Sequence, residues 1–169
     1  HTLFFDQDFK QHAHEIYTNP AWPENPLFYM SITTRTDLSG APEGCENVFL
    51  LVPVAAGIVD TDEIKEHYFN LIMDRLESST GEDFRSFIQV KKSYAFRDFV
   101  QDYGAFKGNA YGLANTLLQT AILKPSCKSR KVANLFYTGQ LTVPGPGVPP
   151  SLISGQVVAR EVELFLAAS

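Results

Sequence analysis

The stretch "NLFYTGQLTVPGPGVPPSLISGQVVA", residues 134–159, constrains this chain more than any other. An apolar run enters a turn that carries Gly139, Gly145 and Gly147 among Pro144, Pro146, Pro149 and Pro150, and a helical pattern follows at once. Glycine is entropically costly to order and proline removes a backbone donor, so stability alone does not explain such a corner. Its parts suit a ligand. The glycines admit close approach to the backbone, the prolines stiffen the path, and a helix N-terminus offers unpaired N–H groups and partial positive charge. On pattern alone the plainer reading, a rigid connection touching no ligand, stays open.

At 169 residues the chain suffices for one core or for two small ones. A formal charge of −5 excludes nucleic acid as the main partner, because phosphate binding calls for a basic face. The basic run from Lys124 to Lys131 reads as a solvated loop. Cys45 and Cys127 lie far apart with no partner at metal-ligand spacing, so no metal site is expected; both read as buried or idle thiols in a reducing cytosol, with a disulfide as the unsupported alternative. No apolar run approaches the ~20 residues of a membrane span. The chain opens on "HTLFFDQDF", without Met or a signal-peptide pattern, and is expected to be part of a longer protein.

Periodicity divides the chain into two characters. Residues 2–5 read as a buried strand, and Phe9, Ala13, Ile16 and Tyr17 recur at helical spacing after Asp6 as N-cap. Strands are expected at 27–37 and 46–56, paired antiparallel. A helix follows from Asp60 or Thr61 to Gly81, with Ile64, Tyr68, Leu71, Ile72 and Leu76 on one face. A strand is expected around 86–92 and a short helix ending at Gly104. Leu113 to Ile122 is ambiguous, with helix as one reading. Residues 132–139 read as a strand buried on both faces of a parallel sheet. The last helix is expected to bury Leu152, Val157, Val158, Val162 and Phe165. Residues 1–104 thus form an α+β meander, and 105–169 supply the closing strand and helix of an α/β sheet.

Three ordered blocks resemble the bacterial-type phytoene desaturases, the carotenoid desaturase family. They are "TRTDLSGAPEGCENVFLLVPV" (34–54), "YGAFKGNAYGLANTLLQTAILKP" (103–125) and the Gly/Pro corner itself. In that family the corner is the carboxy-terminal flavin motif. The resemblance implies a substrate domain over 1–104 and, over 105–169, a return to an FAD-binding Rossmann-like domain whose amino-terminal part is absent. It further implies an FAD-dependent desaturase that removes hydrogens from a phytoene-like polyene, a cytoplasmic protein peripheral to the membrane. Gly139 and Gln140 would lie near the ribityl–pyrophosphate linkage, and Val143, Pro144, Gly145, Gly147, Val148 and Pro149 along the ring. Val143 stands where many members carry His, Gln140 where they carry Ala, and Lys124–Pro125 where Arg-Pro is common. No imidazole role is therefore assigned, and no catalytic residue is identified. Without the amino-terminal glycine motif, residues 1–169 alone are expected to bind FAD weakly or not at all.

Other residues have plainer readings. His12, His14 and His67 read as surface histidines, and Glu63, Glu66 and Asp74 as the wet face of a helix. Arg35 and Asp37 read as a structural turn more than as substrate contacts. Phe28, Tyr29, Phe49 and Tyr111 are candidates for a lipid tunnel, against the commoner reading of core aromatics. The alternatives are a hydroxycarotenoid desaturase or retinoid saturase of the same fold, or a cofactor-free α+β binding module.

Overall fold

The computed structural model describes residues 1–114, 116–120 and 123–168. The chain divides into two compact units, His1–Val100 and Gln101–Ser169.

The first unit is α+β. Its strands β1 (Thr2–Phe4), β2 (Phe28–Ile32) and β3 (Val48–Leu51) pair antiparallel in the order β1-β2-β3. The register sets Phe4 opposite Phe28, and Met30 between Thr2 and Leu50. Because side chains alternate across a strand, these residues share one face. Helix α2 (Asp62–Thr80) supplies the other half of the core, with Ile72, Met73 and Leu76 closing on Phe28 and with Phe4, Met30, Leu50, Val52 and Phe69 around them. The Phe4 and Phe28 rings stack at 4.2 Å. The Arg75 guanidinium lies 4.9 Å above Phe28 while donating to the Pro26 carbonyl and pairing with Asp6.

Local chemistry fixes the ends of α2. The Thr61 hydroxyl accepts from the Ile64 amide at 3.2 Å, and Asp62 and Glu63 occupy the positive first turn. At the far end Gly81 adopts φ +77° and donates to Glu77 O at 2.8 Å, the left-handed stop that glycine makes without penalty. Beside the helix start, Trp22 packs on Tyr68 and Phe96, and its indole N–H donates to Val59 O at 2.7 Å. Burial first, and the charge of Glu15 second, push the Tyr68 hydroxyl up to about 12.

Several expectations are corrected in this unit. Helix α1 (Phe9–Tyr17) is capped by Asp8, whose carboxylate accepts from the Lys10 amide at 2.8 Å, and Asp6 serves Arg75 instead. Phe9 and Tyr17 are exposed, and the inward side chains of α1 are His12 and Glu15. His12 is not a surface residue: its Nδ1 accepts from the Leu27 amide at 3.1 Å, which leaves Nε2–H to donate to Pro53 O at 2.8 Å. The His12 ring thus ties α1 to Leu27, just before β2, and to Pro53, just after β3, at one end of the antiparallel pair. Strand β1 is a mostly exposed edge. Residues 86–92 form no strand; a 3-10 turn, Arg85–Phe87, stands there because Arg85 is bound to Glu77, Asp74 and the Asn70 carbonyl of α2.

Helix α3 (Phe96–Tyr103) crosses the division between the units. The second unit is dominated by α4 (Val148–Ala167), with 3-10 turns at Phe106–Gly108 and Leu117–Gln119. Asn115, Ala121 and Ile122 lie outside the described residues, so of the expected helix 113–122 only the Leu117–Gln119 turn is described. Residues 132–138 do not form a buried parallel strand. They fold back on the basic loop as a short hairpin, with one bridge between Lys128 and Phe136 and bonds from Tyr137 N to Cys127 O and from Ser129 N to Leu135 O. A strand needs a neighbour, and among the described residues this loop is the one that pairs with it. Leu135 and Tyr137 are accordingly exposed. On α4, Leu152 and Val157 are exposed, Val158, Val162 and Phe165 are half-buried, and Ser154 is fully buried.

Candidate functional site

The Gly/Pro corner starts and ends on the first two turns of α4. At its start Gly139 takes φ +103°, which only glycine adopts freely, and a Cβ there would meet nothing within 4 Å. Ser154 holds this residue in place. Its hydroxyl donates to Ser151 O at 2.7 Å and accepts from the Gly139 amide at 2.8 Å and from the Thr138 hydroxyl at 2.8 Å, using its full bonding capacity. Gly139 through Thr142 then form a turn, with the Thr142 amide and hydroxyl both donating to Gly139 O at 3.2 and 3.0 Å.

Val143 donates from its amide to Pro125 O at 3.3 Å and accepts from the Cys127 thiol at 3.7 Å, and the Val143–Pro144 bond is cis. Gly145 is buried at φ +138° against Lys124: an added Cβ would lie 3.1 Å from Lys124 Cε and 3.7 Å from Nζ. Gly147, at φ +106°, is the N-cap of α4 and brings no side-chain cap. Pro149 and Pro150 have no N–H, and Ser151 N already donates to Gly147 O at 3.0 Å, so Val148 is the uncapped amide of the first turn. Val148 is exposed.

The block at 103–125 contributes twice to this corner. Gly112, at φ +84°, lies so near Leu141 that a Cβ would stand 2.5 Å from Leu141 Cδ2, and Lys124 lies under Gly145. The expectation of a solvated basic loop is therefore corrected for Lys124, which is 6% exposed; Lys128, Arg130 and Lys131 do face solvent or its margin. Sequence reasoning left Lys124 and Ser154 out of the site. Ser154 had a signal, the Ser-Gly pair of the third block, whereas Lys124 had none beyond its place in the second.

In the first unit the block at 34–54 makes a turn of its own. Thr34 is buried, donates to Glu46 and accepts from the Asn47 amide at 3.1 Å, while Arg35 pairs with Glu46 at 3.1 Å. Asp37 accepts from the Ser39 hydroxyl at 2.6 Å and amide at 3.0 Å, and that hydroxyl first, then the amide, holds its carboxyl below the usual range. Of the tunnel candidates, Phe28 is core, Tyr29 is half-buried and edge-on to Phe49 at 6.3 Å, and Phe49 and Tyr111 are exposed. Cys45 and Cys127 are free thiols, and no cluster of three or more His, Cys, Asp or Glu suited to a metal occurs among the described residues.

No protein-family model matches the chain. Among curated proteins it is 43% identical over 160 residues to a carotenoid 3,4-desaturase of Haloarcula japonica, covering 95% of this chain and 32% of that protein. It is 32% identical over 149 residues to a 4,4'-diapolycopen-4-al dehydrogenase of Metabacillus indicus, covering 88% of the chain and 30% of that protein. It is 31% identical over 169 residues to a zeta-carotene-forming phytoene desaturase of Myxococcus xanthus, covering 96% of the chain and 32% of that protein. The chain spans about a third of the length of these relatives.

Proposed function

The chain belongs to the carotenoid and phytoene desaturase family, and on that premise we propose that it is the carboxy-terminal portion of an FAD-dependent carotene desaturase. The whole protein introduces double bonds into phytoene or a related carotenoid. The 43% identity to a carotenoid 3,4-desaturase, against 31% to a phytoene desaturase, favours a preformed carotenoid over phytoene.

The observation that carries this reading is the corner at Gly139–Pro149. FAD fits it on three counts: three glycines at positive φ, open space where a Gly139 side chain would be, and an uncapped amide at Val148, itself an exposed residue. When bound, the flavin supplies the acceptor for a hydride from an allylic carbon, while a proton leaves the neighbouring carbon. The chain's own residues bind and orient. Gly139 and Gln140 face the ribityl–pyrophosphate linkage; the Gly139 amide is committed to Ser154, so Gly139 contributes clearance rather than a hydrogen bond. Val143, Pro144, Gly145, Gly147, Val148 and Pro149 border the ring. With two prolines in its first turn, α4 contributes its positive end mainly through the dipole and the Val148 amide. Residues 105–169 thereby return to a Rossmann-like nucleotide-binding domain, and residues 1–104 belong to the substrate domain. No described helix is long and apolar enough to cross a membrane; the whole protein takes its polyene at the membrane surface.

A second reading, an oxidoreductase acting on an oxygenated carotenoid, is favoured by the dehydrogenase relative. One experiment separates the readings. The intact protein is expressed in cells accumulating phytoene and in cells accumulating lycopene, extracted pigments are chromatographed, and the purified protein is scanned for flavin absorbance. Longer conjugated polyenes with bound flavin are expected. Bound flavin with unchanged pigments moves the substrate to the oxygenated class, and neither pigment nor flavin overturns the reading and returns the corner to a stiff turn.

A further inference from the structure

Charge is divided unevenly between the two units. Residues 1–100 carry eight basic side chains against sixteen acidic ones, a net −8, and residues 101–169 carry six against three, a net +3. No Asp or Glu occurs between Asp102 and Glu161. In the first unit Arg35, Lys65, Arg75, Arg85, Lys91 and Arg97 all pair with carboxylates. In the second, Lys128, Arg130 and Lys131 pair with no carboxylate among the described residues. Such an asymmetry marks a surface for a polyanion.

These three cations lie on the hairpin of residues 126–138. Its tip is tied through the backbone: the Ser129 hydroxyl accepts from the Lys131 and Val132 amides at 3.2 and 3.1 Å, and the Leu135 amide donates to Val132 O at 3.2 Å. Its base is held by Phe136, edge-on to Phe165 at 5.9 Å, with Lys128 Nζ 5.8 and 5.4 Å from the two rings. Arg130 and Lys131 are exposed, and so are Val132 and Leu135 close by. Cations alone would suit nucleic acid equally well. Exposed aliphatic side chains beside them gain nothing against phosphates, but they do gain at the boundary between lipid headgroups and acyl chains.

We propose that this hairpin docks the whole protein on an anionic lipid membrane, with Arg130 and Lys131 at the headgroup phosphates and Val132 and Leu135 at the headgroup–acyl boundary. The choice of lipid over another polyanion rests partly on the reading that the whole protein acts on a polyene lipid; the charge distribution does not. An anionic surface repels the first unit, at net −8, so the attraction is confined to the second.

The test uses the intact protein and vesicles of phosphatidylcholine, alone or mixed with phosphatidylglycerol, with binding read by co-sedimentation. Wild type is expected to bind the anionic vesicles in preference to the neutral ones and to leave them as salt is raised, because exposed charges are screened. R130Q/K131Q is expected to bind the anionic vesicles about 25-fold more weakly, about fivefold for each cation removed near a lipid surface. K10Q/K92Q removes the same net charge from exposed lysines of the first unit and is expected to bind as wild type does. Equal affinity of wild type for neutral and anionic vesicles would overturn the proposal without recourse to any variant. So would unchanged binding in R130Q/K131Q, or an equal loss in K10Q/K92Q, which would make net charge the cause. Tighter retention on random-sequence single-stranded RNA than on anionic vesicles at the same salt would reassign the hairpin to nucleic acid. Binding is read without turnover, so a protein that docks through Arg130 and Lys131 but makes no new polyene sinks the desaturase reading and leaves the docking surface in place.

Discussion

The first unit closes Phe28, Ile72, Met73 and Leu76 on one another, whereas the second buries Lys124, Thr142 and Ser154 and leaves Leu117, Leu118, Leu152, Leu164 and Leu166 exposed. The first is organised by apolar side chains that find their partners within the unit. The second is organised by backbone: five of its glycines between 104 and 145, and Gly147 beyond them, take positive φ, and its buried polar groups serve to hold that path. An apolar helix face left in water is unfavourable by about 25 cal/mol per Å². On the proposed reading the rest of the nucleotide-binding domain covers α4, and the flavin covers the turn. The two units therefore break differently, one by losing volume and the other by losing clearance.

The largest expected effect is at Gly147. In the intact protein Gly147→Val is expected to abolish flavin retention, because a branched residue is disfavoured at φ +106° and, on the proposed reading, would stand where the turn borders the ring. Flavin absorbance per mole of purified protein reads it, and full occupancy would remove the turn from the site. Thermal unfolding of the first unit is expected to be unchanged, which separates a local loss from a general one.

The converse variant is Leu76→Ala. Leu76 is 3% exposed within the Phe28 cluster, and truncating it is expected to cost about 2–5 kcal/mol in urea unfolding. The fraction that remains folded is expected to hold flavin normally. Lost flavin at full stability would mean that the first unit shapes the cofactor site directly, and the contrast between the units would fail.

Between these lies Ser154→Ala, which leaves the Gly139 amide and the Thr138 hydroxyl without their shared acceptor. A fully buried donor left unpaired costs about 1–3 kcal/mol; Gly139 is half-buried and Thr138 exposed, so the loss is expected at or below the low end of that range. Faster hydrogen exchange at the Gly139 amide, with weaker but measurable flavin binding, is the expected signature. An unchanged exchange rate would show that the turn holds its path without α4.

What was legible in the sequence follows the same division. Thr61 and Gly81 were readable because a cap and a left-handed stop act within a few residues of their helix. The antiparallel pairing of β2 with β3 was readable from two β-branched, aromatic runs joined by a turn. His12 was not, since its two partners lie 15 and 41 residues away and nothing in "KQHAHE" reports them. The apolar run at 132–138 looks the same whether a parallel neighbour pairs with it or the basic loop does. In sequence Lys124 is indistinguishable from Lys128, Arg130 and Lys131, yet its side chain lies against Gly145, where a Cβ would crowd it. In the corner, the glycines and prolines were plain, and the serine that holds Gly139 was visible only as half of a Ser-Gly pair.

The smallest effect belongs to the first unit and is electrostatic. Asp98, in the first turn of α3, accepts from Lys65 Nζ at 2.6 Å and from the Ala95 amide at 2.7 Å. Burial pushes its carboxyl up, but the Lys65 bond, the Ala95 amide and the charges of Lys65 and Arg97 outweigh burial and hold it below the usual range. A carboxyl depressed in the folded state contributes stability above its unfolded value, about 4, and loses it as pH falls through the lower folded value. Wild type is therefore expected to exceed Asp98→Asn in urea midpoint at pH 7, with the gap closing below about pH 4. Added salt is expected to narrow the gap as well, because the Asp98 side chain is 30% exposed and screening reaches it. A gap independent of pH would assign the loss to hydrogen-bond geometry at the start of α3 instead of to charge. The backbone-built second unit would then be matched by a first unit whose ion pairs add nothing to its apolar core.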